Sequence, residues 1–218
     1  MNIRRFALVR AALVGITLTA ALLTTACAAD DADGTASPPA SGAPSPTGDV
    51  PTATTAAPTA GGPDVAPAKA AGKVGAGGNC AIPGSFDLAA KWTVADVSKL
   101  GVVDHGLELR CEIDGRSAGV LGVIRVWVAR SGTDPRRALE TFVGNSTLNP
   151  EDVAYRDTRI GSADGVEVSY RSDDHATRAF AAPASGQVVL VIWGGEAETF
   201  EPGLPAYVLA RSTYAPAG

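Results

Sequence analysis

The stretch VAYRDTRIGSADGVEVSYRSDDHATRAFAAPASGQVVLVIWG, residues 153–194, decides how this chain folds. It carries four strand signals in succession, at residues 153–160, 165–172, 177–183 and 187–194. The separators (Ser162-Ala163-Asp164-Gly165, Asp173-Asp174 and Ala184-Ser185-Gly186) are turn-forming. Connections this short join antiparallel neighbours, so the stretch is expected to be a meander.

Working outward, residues 85–88 and 92–97 look like short strands, and residues 107–113 alternate (Leu107, Leu109, Cys111, Ile113) as a half-buried strand does. Residues 119–129 are rich in β-branched side chains and read as a longer strand. Thr133 or Asp134 then supplies an N-cap and Pro135 a first helical turn. Ala138, Leu139, Phe142 and Val143 share one face of that helix, and Gly144-Asn145 ends it. After the meander, residues 203–214 read as a second helix following Pro202, with Tyr207, Val208 and Leu209 for core contact. Strands with one helix between the halves and one at the end predict an α+β fold, an antiparallel sheet with flanking helices.

The N-terminal part follows other rules. Residues 1–26, MNIRRFALVRAALVGITLTAALLTTA, carry Arg4, Arg5 and Arg10 ahead of an apolar run at residues 11–23. That is the layout of a signal peptide, and the run is shorter than the roughly 20 residues a membrane-spanning helix needs. Thr24-Thr25-Ala26-Cys27 resembles a bacterial lipobox, with Thr24 where Leu is usual. The rival is an ordinary cleavage site at Ala26-Cys27-Ala28, which would discard the cysteine. A diacylglycerol on Cys27 supplies two acyl chains, enough for stable anchoring. The expected address is extracytoplasmic, at the outer face of the plasma membrane. Residues 28–78 hold eight prolines and no aromatic, Leu or Ile. Such a segment cannot bury enough apolar surface to offset its ordering entropy, so it is expected to be a disordered tether with a reach of about 40 Å. The division predicted is a leader at 1–26, a lipidated cysteine and linker at 27–78, and a globular domain at 79–218.

The net charge of the whole chain is −5; the leader removes three of 18 basic residues, leaving 15 against 23 acidic, or −8. Nucleic acid is excluded as a partner, because phosphate contacts need a basic face. Two of the three cysteines, Cys80 and Cys111, lie in the folded part. In an oxidising compartment they read as a disulfide, which leaves Cys27 as the odd one for acylation.

No catalytic residue, metal ligand or cofactor is assigned. His105 and His175 stand in polar turns, without the spacing of a zinc motif. No G-x-S-x-G elbow, phosphate loop or EF-hand loop is present. Arg125 and Trp127, two apart on the long strand, project from one face. They form a candidate binding face for sugars or peptides, unless Trp127 packs under a helix with the Arg stem beside it.

The order of elements resembles the PsbP-like α/β/α sandwich, a family that includes the small mycobacterial Lpq-type lipoproteins of actinobacteria. The likeness is carried by Asp134-Pro135-Arg136-Arg137-Ala138-Leu139-Glu140, Gly165-Val166-Glu167-Val168-Ser169-Tyr170, Arg178-Ala179-Phe180 and Pro205-Ala206-Tyr207. It implies a non-enzymatic extracytoplasmic domain and transfers no site residue. Three functions stay open. They are a tethered binding or accessory module for an envelope protein or a small apolar or glycan ligand, an envelope hydrolase, and a structural lipoprotein.

Overall fold

β10 (Gln187–Glu196) is apolar on both sides. Val188, Leu190 and Ile192 point to one face and Val189, Val191 and Trp193 to the other, and all six are buried. A strand of this kind sits at the centre of a sheet covered on both faces. In the computed structural model, which describes residues 65–217, β10 lies between β9 (His175–Ala184) and β6 (Val123–Ala129). Beyond β9 come β8 (Ala163–Ser172) and the edge strand β7 (Glu151–Ile160). Beyond β6 come β5 (Leu107–Asp114), then β3 (Thr93–Asp96), with the short β4 (Val103–Asp104) also on β5. Every pairing is antiparallel, and the order is β3-β5-β6-β10-β9-β8-β7. The meander is as expected from its turns. Ser185 (φ 46°) and Gly186 (φ 74°) both take the left-handed conformation that a two-residue hairpin uses.

The two helices lie on opposite faces. α1 (Pro135–Gly144) is capped by Asp134, whose carboxylate accepts from the Arg137 N–H at 3.0 Å, with Pro135 in the first turn. Its Ala138, Leu139 and Val143 pack on Val166, Val168, Ala179, Ala181, Val188 and Leu190, across β8, β9 and β10. α2 (Ala197–Thr213) covers the other face. Its Phe200, Leu204, Tyr207 and Val208 join Phe180, Val189, Val191 and Trp193 in one core. A second sheet closes that side, β1 (Ala70–Gly75), β2 (Gly84–Ala89) and β11 (Ala215–Pro216) in the order β1-β2-β11, with α2 against β2. Cys80 and Cys111 form a disulfide that ties the loop after β1 to β5, and both are buried.

Four expectations are corrected. The tether ends earlier than residue 78. β1 falls inside the Ala/Gly-rich stretch, because backbone pairing with β2 and the fully buried Val74 hold it. A strand whose side chains are mostly small leaves no periodic signal. The leader, Cys27 and the tether up to residue 64 lie outside the described residues. The long central strand starts at Val123 instead of residue 119: Gly119 has φ 82°, and the Gly115 backbone bonds Val120 and Gly122 around a closed loop. The turn before β8 is Gly161-Ser162 alone, and Ala163, Asp164 and Gly165 belong to the strand. The last helix begins at Ala197 and runs through Pro202 and Pro205. Each proline removes one N–H, but the carbonyls that lose it belong to Glu198 and Glu201, both exposed, where solvent can serve them. Inside, the Trp193 indole N–H donates to the Phe200 carbonyl at 3.0 Å and holds the early turns on the sheet. A Cβ at Gly203 would enter the Trp193 ring, so a glycine there is a matter of space.

Candidate functional site

α1 covers only part of its face. Antiparallel register puts Thr93 and Ala95 of β3, Glu112 and Asp114 of β5, and Val123, Arg125 and Trp127 of β6 on that same face, beyond the helix. Thr93, Ala95 and Arg125 are exposed; Glu112, Asp114, Val123 and Trp127 are half-buried. A cavity of about 430 Å³ opens here, floored by Ala95, Glu112, Asp114 and Val123 and walled by Arg116 and Leu121. Leu121 keeps 72% of its surface in solvent.

The charges of this hollow are paired. The Arg125 Nε donates to Glu112 Oε1 at 3.1 Å across the β5–β6 ladder. Asp114 accepts from the Arg116 side chain at 2.7 Å and from its backbone N–H at 2.8 Å. The Arg116 side-chain bond, helped by the backbone bond, holds the Asp114 carboxyl below the usual carboxylate range. Two carboxylates of the lining are each paired with a guanidinium, Asp114 with Arg116 in the lining and Glu112 with Arg125 beside it, next to aliphatic contact from Leu121 and Val123. Such a lining suits a neutral or zwitterionic group that can hydrogen-bond at its rim and touch carbon at its floor.

The structure divides the Arg125/Trp127 pair. Arg125 lies outside the lining of the hollow and is joined to it through Glu112. Trp127, opposite Leu109 and Leu190, packs at the margin of the cluster under α1. Its indole N–H is buried, with no hydrogen-bond partner among the described residues. Sequence reading singled out Arg125 but missed Glu112 and Asp114 of β5 and Arg116 and Leu121, which reach the hollow from the loop between β5 and β6. The exposed Leu121 beside Gly122 was the available signal.

A second constellation lies on the α2 face, and nothing in the sequence announced it. Glu167 of β8 is buried. Its Oε1 accepts from Arg178 at 2.7 Å and from the Tyr207 hydroxyl at 2.9 Å; its Oε2 accepts from Arg156 at 2.5 Å and Arg211 at 3.0 Å. Burial pushes this carboxyl up, but Arg178, Arg211 and the bonds from Arg156 and Tyr207 outweigh it, so its pKa is lowered. The Tyr207 hydroxyl is driven well above the usual tyrosine range, by burial first and then by the adjacent carboxylate. A carboxylate locked in its charged form beside a tyrosine that keeps its proton is poor acid–base machinery and a strong structural tie.

His105 stands in a turn, as expected, whereas His175 is not in the turn but opens β9 directly after the Asp173-Asp174 turn and is half-buried. His105 (φ 46°) bonds Asp104 at 2.5 Å through Nδ1. His175 bonds Asp174 at 3.0 Å, and its Nε2 lies 3.9 Å from Glu196, its partner across the β9–β10 hairpin. Among the described residues, Asp174, His175 and Glu196 are the one group whose donor atoms converge, within 4.8 Å of one another. Asp174 and Glu196 are exposed, so solvent competes for every donor.

A family model described as "uncharacterised lipoprotein" matches residues 51–214. No curated protein matches. Among solved structures, the chain is similar to the solution structure of cyanobacterial PsbP (CyanoP) from Synechocystis sp. PCC 6803. The identity is 9% and the TM-score 0.42, over 62% of this chain and 86% of that one.

Proposed function

The chain belongs to this lipoprotein family, whose members are membrane-anchored surface proteins, and from that premise we propose that it is a non-catalytic binding or accessory module of the cell envelope. The leader at 1–26 directs export, and a diacylglycerol on Cys27 holds the mature chain at the outer face of the plasma membrane. The linker spaces the folded part from the bilayer. The order of sheet, helix, meander and final helix supports a PsbP-like domain of the actinobacterial Lpq type.

The observation that carries the binding reading is the half-covered sheet face. A structural spacer gains nothing from a 430 Å³ hollow lined by an exposed leucine and three charged side chains, Glu112, Asp114 and Arg116. Buried apolar surface is the main favourable term in folding, and a face left open forgoes it. The ligand is an envelope protein segment or a small apolar or glycan compound.

The test is site-directed crosslinking in envelope membranes, comparing the natural chain with Leu121→Asp/Arg125→Glu. A control variant carries Glu140→Arg on the outer surface of α1. The reading requires an adduct that the double variant loses and the control keeps. Adducts unaffected by the double variant refute it. Mass spectrometry of the mature N-terminus separately decides whether Cys27 carries the lipid.

A further inference from the structure

One surface segment is apolar where nothing in the fold asks for it. Residues 99–105, Lys99-Leu100-Gly101-Val102-Val103-Asp104-His105, are exposed without interruption. Leu100, Val102 and Val103 keep 71, 40 and 53% of their surface in solvent. Three branched aliphatic side chains in seven residues form an exposed apolar tip of the kind that marks an interaction site.

The tip is held in shape. Leu100 N–H donates to the Val97 carbonyl at 2.9 Å, and Gly101 N–H to Ser98 at 3.1 Å, closing a 3₁₀ turn at Ser98–Leu100. Gly101 (φ 63°) redirects the chain. The Leu109 N–H then donates to the Val102 carbonyl at 3.0 Å, and Val103 pairs with Glu108 in the β4–β5 ladder. The apolar side chains are therefore presented by a backbone that three hydrogen bonds and the β4–β5 pairing hold in place. Each bond already made lowers the cost of entering a medium where an unpaired N–H or C=O is costly.

We propose that the 99–105 segment dips into the acyl boundary of the phospholipid bilayer to which the chain is anchored. Its apolar side chains are all aliphatic, Asp104 and His105 at its end are paired with each other, and it lacks the Trp, Tyr and Arg anchors that dominate protein–protein hot spots. Lys99 flanks it and can extend its ammonium to the headgroup layer while its stem stays with Leu100. The bilayer is also the surface that the anchor brings within reach. A tethered group meets its target at high effective concentration, so a contact too weak to hold a free protein is occupied in an anchored one. The folded part is acidic overall, with 18 acidic and 13 basic residues between 79 and 218, which keeps the rest of it off anionic headgroups and confines contact to the tip. The inference rests on the lipid anchor and is independent of the open sheet face.

The experiment uses the full-length lipidated chain in phosphatidylcholine vesicles containing a phospholipid with a photoactivatable group on its acyl chain. Flotation with the vesicles reports the anchor, and mass spectrometry maps the lipid adducts. The proposal expects adducts within 99–105 that fall at least tenfold in Leu100→Asp/Val103→Asp, each buried aliphatic contributing about a tenfold partition effect. The double variant must still float and show the natural melting temperature. A chain that floats without adducts in this segment overturns the proposal and leaves the anchor standing. A chain that fails to float overturns both. Adducts that persist in the double variant, or map elsewhere on the domain, also overturn it.

Discussion

The two faces of the large sheet are treated differently. The α2 face is sealed from β3 to β8 by a helix, a second small sheet and a set of aromatic side chains: Phe86, Trp92, Phe180, Trp193, Phe200, Tyr207 and Tyr214. Ring pairs there stand 5.8–5.9 Å apart in tilted or edge geometry, Trp92 with Trp193 and Phe180 with Tyr207 and Tyr214. The α1 face is mainly aliphatic, with Tyr170 buried and Trp127, Phe142 and Tyr155 at its margin; α1 roofs β8, β9 and β10, Leu107 and Ala129 extend the cluster, and β3 with the adjoining parts of β5 and β6 stays open. The difference teaches how the core is distributed: one face is sealed throughout, while the other is sealed only where α1 lies and leaves the rest of its surface to solvent.

The sharpest way to break this comparison is to cut into the sealed face. Trp193→Ala is expected to lose about 3–5 kcal/mol of unfolding free energy, as large core truncations do, measured by chemical denaturation. Glu167→Ala belongs in the same range, about 3–5 kcal/mol, because it removes the buried carboxylate on which Arg156, Arg178, Arg211 and Tyr207 converge. Glu167→Gln adds a pH signature. The carboxyl's pKa is lower in the folded chain than its ordinary 4.5. Its contribution is therefore fully present above pH 4.5 and is lost as pH falls through the lower folded value. The natural chain should destabilise across that acid window, and the Gln variant should show a flatter profile there.

Next in size is the disulfide. Replacing both Cys80 and Cys111 by Ala opens a loop of sequence separation 31 and is expected to cost about 3–4 kcal/mol in the chain-entropy account. Val74→Ala follows, at about 2 kcal/mol, and tests whether β1 belongs to the fold. A change under 0.5 kcal/mol there would return that strand to the tether. Smallest of all should be Arg125→Ala on the open face. The Arg125–Glu112 pair is largely solvent-exposed, and such pairs contribute about 0–1 kcal/mol. A loss above 2 kcal/mol would mean that this half-face is structural after all.

How much was legible follows from where the signals lie. The meander could be read because each hairpin turn is local, and its glycine, aspartate and serine residues state their own conformation. α1 could be read from the Asp134-Pro135 start and the 138, 139, 142, 143 face. β1 could not, since an Ala/Gly strand is stabilised by what it pairs with. The proline-containing start of α2 was read as a break, because the rule against proline weighs local hydrogen bonds and omits the Trp193 contact. At the candidate site, the shared face of Arg125 and Trp127 was legible from two-residue spacing. Their separate fates were not, because only the position of α1 over β8–β10 decides which side chain is covered.

The amino-acid sequence by itself determined the antiparallel meander, the first helix and the net acidity of the chain. These are properties of composition or of residues a few positions apart, and local chemistry settles them. Tertiary structure alone decided that Glu167 meets three arginines and a tyrosine, that a second sheet closes the α2 side, and that half of the opposite face stays open. Those arrangements join residues far apart in the chain, 44 positions for Glu167 and Arg211 and more for Ser85 and Ala215 of the second sheet. Their energies exist only once the sheet has brought the partners together and taken them out of water.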